Sequence, residues 1–184
     1  QIDNSTPEAV FMFIPGADGS RFVKQYQEFG LQDKYTLVEG GSLLNAPFNL
    51  KAVGNAVVGG KMITNYFPEL ENEVNEKFVK AYQAKFNKIP DNYVVNGYDT
   101  GKLISQVVKE AGSLDGEKLV SVLKKGLTID SPRGPIEMDP VTHTLIQNMY
   151  VIEGKETDGE ISFELIKTYE NIEMPEENVG YKKY

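Results

Sequence analysis

Residues 9–41, AVFMFIPGADGSRFVKQYQEFGLQDKYTLVEGG, constrain the fold more than any other stretch of the chain. Residues 9–14 are an unbroken apolar run, long enough for a strand buried on both faces. Pro15-Gly16 stops it, and Asp18 or Ser20 supplies a short side-chain oxygen to cap a helix behind it. Phe22, Val23, Tyr26 and Phe29 then recur at helical spacing, and Gly30 stands where a left-handed residue closes a helix. Residues 35–38 make a second strand that ends at Glu39-Gly40-Gly41. A strand–helix–strand unit of this kind crosses over right-handed into a parallel sheet. Both strands run out into polar or glycine-rich turns, and the carboxyl ends of parallel strands are where open α/β sheets hold ligands.

Composition narrows the classes of function. The chain has 184 residues, enough for one domain or two small lobes, with 40% hydrophobic and 25% charged residues. The net charge of -8 and the absence of a basic stripe argue against nucleic acid and anionic membrane as partners. No apolar run approaches the roughly 20 residues of a membrane span. The first residues, QIDNSTPE, are polar and carry no leader pattern. With no cysteine, disulfides, thiolate nucleophiles and Cys-ligated metals are excluded.

Further along, residues 1–8 read as the tail of something longer, 47–53 as a short helix closed by Gly54, and 61–65 as a third strand entered through Gly59-Gly60. Residues 72–87 predict a helix with Val74, Phe78, Val79, Tyr82 and Phe86 on one face. Asp91 or Asn92 starts a second helix that runs to Gly112, with Tyr93, Gly97, Tyr98, Gly101, Ile104, Val107, Val108 and Ala111 inward. Gly97 and Gly101, four apart, imply close packing against another element. A third helix over 116–125 buries Leu119, Val120 and Leu123. Residues 131–135, SPRGP, form a rigid connector. Short extended segments follow at 136–138 and 148–153, then a hairpin loop at 154–159 and a returning strand at 161–169. The tail from 171 is patternless and reads as a surface extension. The helices of 72–125 present apolar faces with no obvious sheet beside them, so the chain is either part of a larger design or a homodimer, formed by exchange of those helices.

Among candidate chemical groups, Glu39 is the sharpest. A carboxylate at the end of a buried strand, followed by two glycines, either faces a cleft and accepts hydrogen bonds from a ligand ammonium or is a solvated loop carboxylate. Asp18 is a helix cap or a ligand contact. Pro15, Gly16 and Ala17 let a ligand approach the backbone closely. Tyr98 reads as core, and Tyr93 as either core or pocket wall. His143 is the one histidine, so neither a metal site nor a Ser-His-Asp arrangement is expected. The pairs Glu71/Glu73 and Glu176/Glu177 read as solvated linker charges, and no phosphate-binding glycine motif occurs.

Four stretches in order, PEAVFMFIPGADGSRFVKQYQEFGL, LVEGG, NAVVGGKMITNYFPELENEVNEKFVKAYQAKFNKIPDNYVVNGYD and DSPRGPIEMDPVTHTLIQNMYV, resemble the leucine/isoleucine/valine-binding family, over about residues 7–153. These are the substrate-binding proteins of branched-chain amino acid ABC transporters. The resemblance implies an α/β fold of the type I periplasmic-binding kind, a parallel sheet flanked by helices. Two lobes joined by three crossovers trap a ligand between them. It implies that 1–65 is part of the C-terminal lobe, 66–146 a helical return into the N-terminal lobe, and 147–184 a re-entry into the C-terminal lobe with a tail. On this reading the family's first half precedes Gln1. Glu39, with Gly40 beside it, matches the acidic residue that binds an amino acid's ammonium. Tyr93 matches an aromatic position that packs on the ligand side chain. The Pro15–Asp18 loop (Pro15, Gly16, Ala17, Asp18) matches a strand tip that often carries a tyrosine; Ile14-Pro15 stands here instead, and similar PGAD loops occur in binders of other small organic ligands, aromatic acids among them. The implied function is solute binding for an ABC permease, with no enzyme activity and no cofactor. The implied location is the periplasm or cell exterior, as a membrane-associated lipoprotein in a Gram-positive cell. The alternative is the ligand-sensing domain of a receptor with the same fold. An enzyme using Glu39 as general base would need a second catalytic group that the sequence does not offer.

Overall fold

The structure is a computed structural model that describes residues 1–41 and 44–175. In chain order the elements are α1 (Ile2–Ser5), β1 (Ala9–Met12), α2 (Ala17–Glu28), β2 (Thr36–Glu39), α3 (Pro47–Val53), a 3-10 turn (Gly54–Val57), β3 (Lys61–Thr64), α4 (Glu73–Phe86), α5 (Asn92–Ala111), α6 (Gly116–Leu123), β4 (Thr128–Ile129), β5 (Ile136–Met138), β6 (Leu145–Thr157) and β7 (Glu160–Ile172). They form two compact units. The first comprises Gln1–Glu69 and Tyr150–Thr168, and the second comprises Leu70–Met149 and the chain from Tyr169. Glu176 and Glu177 lie outside the described residues.

In the first unit β1, β2 and β3 run parallel, with Ala9 opposite Thr36, Met12 opposite Glu39, and Glu39 opposite Met62. The expected strand–helix–strand crossover is therefore present. On its other side β3 pairs antiparallel with β6, Thr64 opposite Tyr150 and Lys61 opposite Glu153. Val23 and Tyr26 from α2 are buried, as are Leu37, Met62 and Ile152 from the strands and Tyr66 and Phe67 beyond β3. The Tyr26 hydroxyl donates to the Tyr35 carbonyl at 2.8 Å, which ties the end of the crossover helix to the start of β2. Gly30 does take the left-handed conformation, φ 64°. Gly154 passes so close to the Val57 carbonyl that a Cβ there would collide with it.

Three expectations for this unit need correction. The run 9–14 is not a strand buried on both faces: β1 ends at Met12, and Phe11 and Phe13 are 66% and 68% exposed. The two rings alternate with buried Met12, so this stretch buries one face only and leaves the other open among the described residues. Neither Asp18 nor Ser20 caps α2. Gly16 holds the N-cap position at φ 71°, and its turn starts the helix earlier, leaving Asp18 in the first turn. Phe29 falls just beyond the last helical residue and is 73% exposed instead of inward.

In the second unit each helix begins on a side-chain cap. Asn72, Asp91 and Asp115 accept from the backbone N–H of Asn75, Val94 and Lys118 at 2.8, 2.9 and 3.2 Å. Each such cap is worth about 1 kcal/mol. Asn87 and Gly112 close α4 and α5 in the left-handed conformation. A small core gathers Val107, Val122 and Leu127, with Leu103, Ala111, Leu119 and Leu123 packed against it. Val122 replaces Val120 as the buried residue of α6, because it follows Leu119 by three residues and shares its face, whereas Val120 is 46% exposed. The expected inward face of α5 is open at Tyr93, Gly97, Tyr98, Gly101 and Ile104. Among the described residues no atom lies within 4 Å of where a Cβ would stand at Gly97 or Gly101, so no described element packs closely on them. The face of α4 is half-buried at Val74, Phe78, Val79 and Tyr82 and exposed at Phe86.

Strands β4 and β5 pair antiparallel, as do β5 and the start of β6. The β5–β6 turn is organised by Asp139, whose Oδ1 accepts from the N–H of Val141 and Thr142 at 2.7 and 3.1 Å. Exposed His143 takes φ 57° there. β6 and β7 extend well beyond the expected 148–153 and 161–169. Asp158 and Gly159, both at positive φ, make the two-residue hairpin turn that Asp-Gly favours.

The N–H bonds of Val141 and Thr142 hold the Asp139 carboxyl below its ordinary value of 3.8. A lowered carboxyl stabilises the fold above its unfolded value, and this contribution is lost as pH falls through the folded value. Urea unfolding of Asp139→Ala is thus expected to show lower stability than the parent at pH 7, with the gap closing as pH falls below about 3.8. A gap independent of pH would contradict this role.

Candidate functional site

The carboxyl ends of β1 and β2 lie side by side. Met12 and Glu39 are opposite each other, and the Gly40 N–H donates to the Met12 carbonyl at 3.0 Å, carrying the pairing one residue past β2. Glu39 is 2% exposed, so its carboxylate sits in a poorly hydrated setting where a charge-assisted bond counts for more than in water. Two glycines follow for a spatial reason. A Cβ at Gly40 would strike the Phe11 ring at 2.5 Å, and one at Gly41 would lie 2.6 Å from the Glu39 Oε1 and 3.3 Å from the Phe13 ring. The first glycine lets an aromatic ring cover the backbone; the second leaves room for the buried carboxylate.

Of the residues singled out in the sequence, Glu39 and Gly40 close β2, and Pro15, Gly16, Ala17 and Asp18 form the exposed entry into α2. All belong to the first unit. Asp18 accepts from Arg21 at 2.7 Å, an exposed pair worth little to stability. Tyr93 lies in the first turn of α5 in the second unit and is 60% exposed. Tyr98, expected in the core, is 40% exposed, with its ring 4.8 Å from that of Phe78 and the Lys102 ammonium over it. Sequence reasoning missed Phe11 and Phe13. The signal was their alternation with Met12, which puts both on the face opposite the buried residue. Among the described residues no group of three or more His, Asp or Glu stands ready to hold a metal ion.

Comparison with known proteins places this architecture. The periplasmic binding protein family matches residues 1–160. The chain belongs to that family. It is 30% identical over 175 residues to Leu/Ile/Val-binding protein homolog 6 of Brucella abortus, a match that covers 92% of the chain and 45% of the relative. Among solved structures, it is similar to the solute binding protein of an ABC transporter from Rhodopseudomonas palustris HaA2 in complex with p-hydroxybenzoic acid. There the TM-score is 0.86 with 27% identity, covering 97% of this chain and 49% of that one. It is also similar to a solute binding protein from Rhodopseudomonas palustris BisB5 in complex with 3,4-dihydroxybenzoic acid, with TM-score 0.81, 29% identity, 96% of this chain and 49% of that one. The fold is thus the type I periplasmic-binding kind. The chain spans about half the length of the relatives it matches.

A second buried polar centre of this periplasmic binding protein lies wholly in the second unit. Arg133 Nε donates to Asp99 Oδ2 at 2.8 Å, with both side chains only 4% exposed. The Ser131 hydroxyl donates to the same Oδ2 at 2.8 Å, and Arg133 Nη1 donates to Gln147 Oε1 at 2.8 Å. Asn72 Nδ2 holds the intervening Pro132 carbonyl at 3.0 Å. The rigid connector 131–134 is thereby fastened to α5, to the start of α4 and to β6. Burial pushes the Asp99 carboxyl up from its ordinary value, against the pull of the Ser131 hydroxyl and the Arg133 charge. Removing one member leaves a buried charge alone, which costs about 3–5 kcal/mol. Asp99→Ala is expected to lower the denaturant midpoint accordingly, whereas a loss of under about 1 kcal/mol would mean the pair is not buried in solution.

Proposed function

We propose that this chain is part of the solute-binding component of an ABC importer and takes an amino acid or a related small organic acid. The observation that carries this reading is the buried Glu39 carboxylate at the carboxyl end of a parallel strand, with glycine at the next two positions. An ionised carboxylate has about four lone-pair sites and is suited to a ligand ammonium or hydroxyl. The Pro15–Asp18 entry would supply close backbone approach on the same sheet edge, and Gly40, whose backbone the Phe11 ring covers, would shape the wall beside Glu39. Tyr93, matched by the resemblance to an aromatic that packs on the ligand side chain, is retained as a second candidate contact. The lobe assignment behind this reading is 1–65 with 147–184 for one lobe and 66–146 for the other.

The relatives support the class of function. Two are named as ABC transporter solute binding proteins in complex with hydroxylated benzoic acids, the third as a Leu/Ile/Val-binding protein homolog, and none as a receptor. An ABC permease would be the partner, and an extracytoplasmic location fits the family. Among the described residues no helix is long and apolar enough to cross a membrane.

In the full-length gene product, Glu39→Gln retains the shape of the side chain and removes its charge. A charge-assisted hydrogen bond is worth roughly 1.5–3 kcal/mol. Calorimetric titration with the tightest-binding amino acid or aromatic acid is therefore expected to show affinity reduced about 10- to 100-fold. Unchanged affinity in a folded variant would remove Glu39 from the site.

A further inference from the structure

The chain passes from the first unit to the second after Glu69, and its later passages, after Met149 and Thr168, fall inside β6 and β7. The first passage is irregular backbone, and each of its ends is held at one carbonyl. On the first-unit side, the Tyr66 carbonyl accepts from Asn45 Nδ2 at 3.1 Å and from the Thr64 hydroxyl at 2.9 Å. On the second-unit side, the Leu70 carbonyl accepts from Asn75 Nδ2 at 2.8 Å and from the Asn72 N–H at 3.1 Å. Both lone pairs of each carbonyl are thus used. Asn45, Thr64, Tyr66, Leu70 and Asn75 are all buried. Phe67 is fastened as well, its buried ring edge-on to that of Tyr150 at 5.9 Å. What lies between the two anchors is Pro68-Glu69. Stability alone does not call for Asn at position 45. Its Oδ1 is buried with no hydrogen-bond partner among the described residues, a cost that an apolar side chain would avoid.

Resting on the solute-binding reading, we propose that Asn45 and Asn75 are positioning residues for solute binding, which confine the freedom of the first passage to Pro68-Glu69. Each spends a buried side-chain amide on a main-chain carbonyl. Asn45 lies in the segment that leaves β2 beyond Glu39, so its bond ties that segment to the exit from β3. Asn75 stands in the first turn of α4, where its own N–H is held by the Asn72 side chain. The Pro68 ring fixes φ near −65°, so even the pair between the anchors has few conformations. Glu39 and Tyr93, the two candidate contacts, belong to different units, and a solute that takes up both does so at the cost of whatever freedom the passage retains. Ordering the backbone of one residue costs up to about tenfold in affinity. Two anchors and a proline remove most of that cost before the solute arrives. Without either anchor, the solute-free protein gains conformations that the solute-bound protein must give up.

The test is calorimetric titration of the full-length gene product with 4-hydroxybenzoate, benzoate, L-phenylalanine and L-leucine, together with amide hydrogen exchange and a melting temperature. It is run on the parent, Asn45→Ala, Asn75→Ala and Asp115→Ala, the last a helix-cap variant that lowers stability away from the passage. Pro68→Gly loosens the passage without touching a buried group, and it carries the test where an Asn variant fails to fold. The expected result is that Asn45→Ala, Asn75→Ala and Pro68→Gly weaken the tightest-binding member of the panel about three- to tenfold. Exchange at the Tyr66, Phe67 and Glu69 amides is expected to rise in these variants without solute and to return to the parent rate at saturation. Asp115→Ala is expected to lower the melting temperature and leave affinity unchanged. The proposal is overturned if the folded passage variants bind as the parent does. It is also overturned if Asp115→Ala weakens binding equally, or if exchange stays raised at saturation, since the two amides would then serve stability alone. These outcomes leave solute binding standing. A parent that binds none of the four overturns both.

Discussion

The parallel pairing of β1 with β2 is the constraint on which the rest of the first unit depends. Parallel neighbours cannot be joined by a tight turn, so the chain must cross over through a helix, and α2 with its buried Val23 and Tyr26 is that helix. Once Met12 stands opposite Glu39, the ends of both strands reach one edge together. The sheet places a carboxylate, two glycines and the entry to α2 within a few residues of that edge. The burial of Glu39 follows from its alternation with Leu37, which faces the same side of β2 and is also buried. What is a solvated charge by composition becomes a desolvated acceptor by register.

The second unit is organised by a different interaction. Its apolar core is small, and the connector between β4 and β5 contains two prolines and a glycine that offer little to pack. Asp99, Ser131, Arg133 and Gln147 substitute a polar anchor for apolar packing. A buried pair of this kind repays its desolvation only when its geometry is good and further hydrogen bonds satisfy its members. Its contribution is to hold one arrangement of α5, the connector and β6.

Much of this was legible in the sequence where local rules coincide. The crossover unit, the left-handed Gly30, the short helix Pro47–Val53 and the three capped helices of the second unit all follow from periodicity, caps and breakers acting together. What failed depended on which elements lie next to each other. The apolar run 9–14 gives no sign of which face is covered, so the exposure of Phe11 and Phe13 beside buried Met12 was hidden. The spacing of Gly97 and Gly101 marks a face suited to close packing, but spacing cannot state what packs there, and among the described residues nothing does. Asp18 was read as a cap because Asp favours that place, yet the positive φ of Gly16 starts α2 earlier. Glu39 was legible as a candidate from its position before two glycines. Its company was not, because Phe13 is 26 residues away in the chain and meets it only through the sheet. The Asp99–Arg133 pair, 34 residues apart, was invisible for the same reason.

The central claim is that the edge where β1 and β2 end is the place that receives a solute, with Glu39 as its acceptor. The most direct test is a crystal structure of the full-length gene product with the tightest-binding member of an amino acid and aromatic acid panel. The account predicts a ligand hydroxyl or ammonium within about 3.2 Å of a Glu39 carboxylate oxygen. A bound solute that leaves Glu39, Gly40 and Gly41 untouched would contradict it.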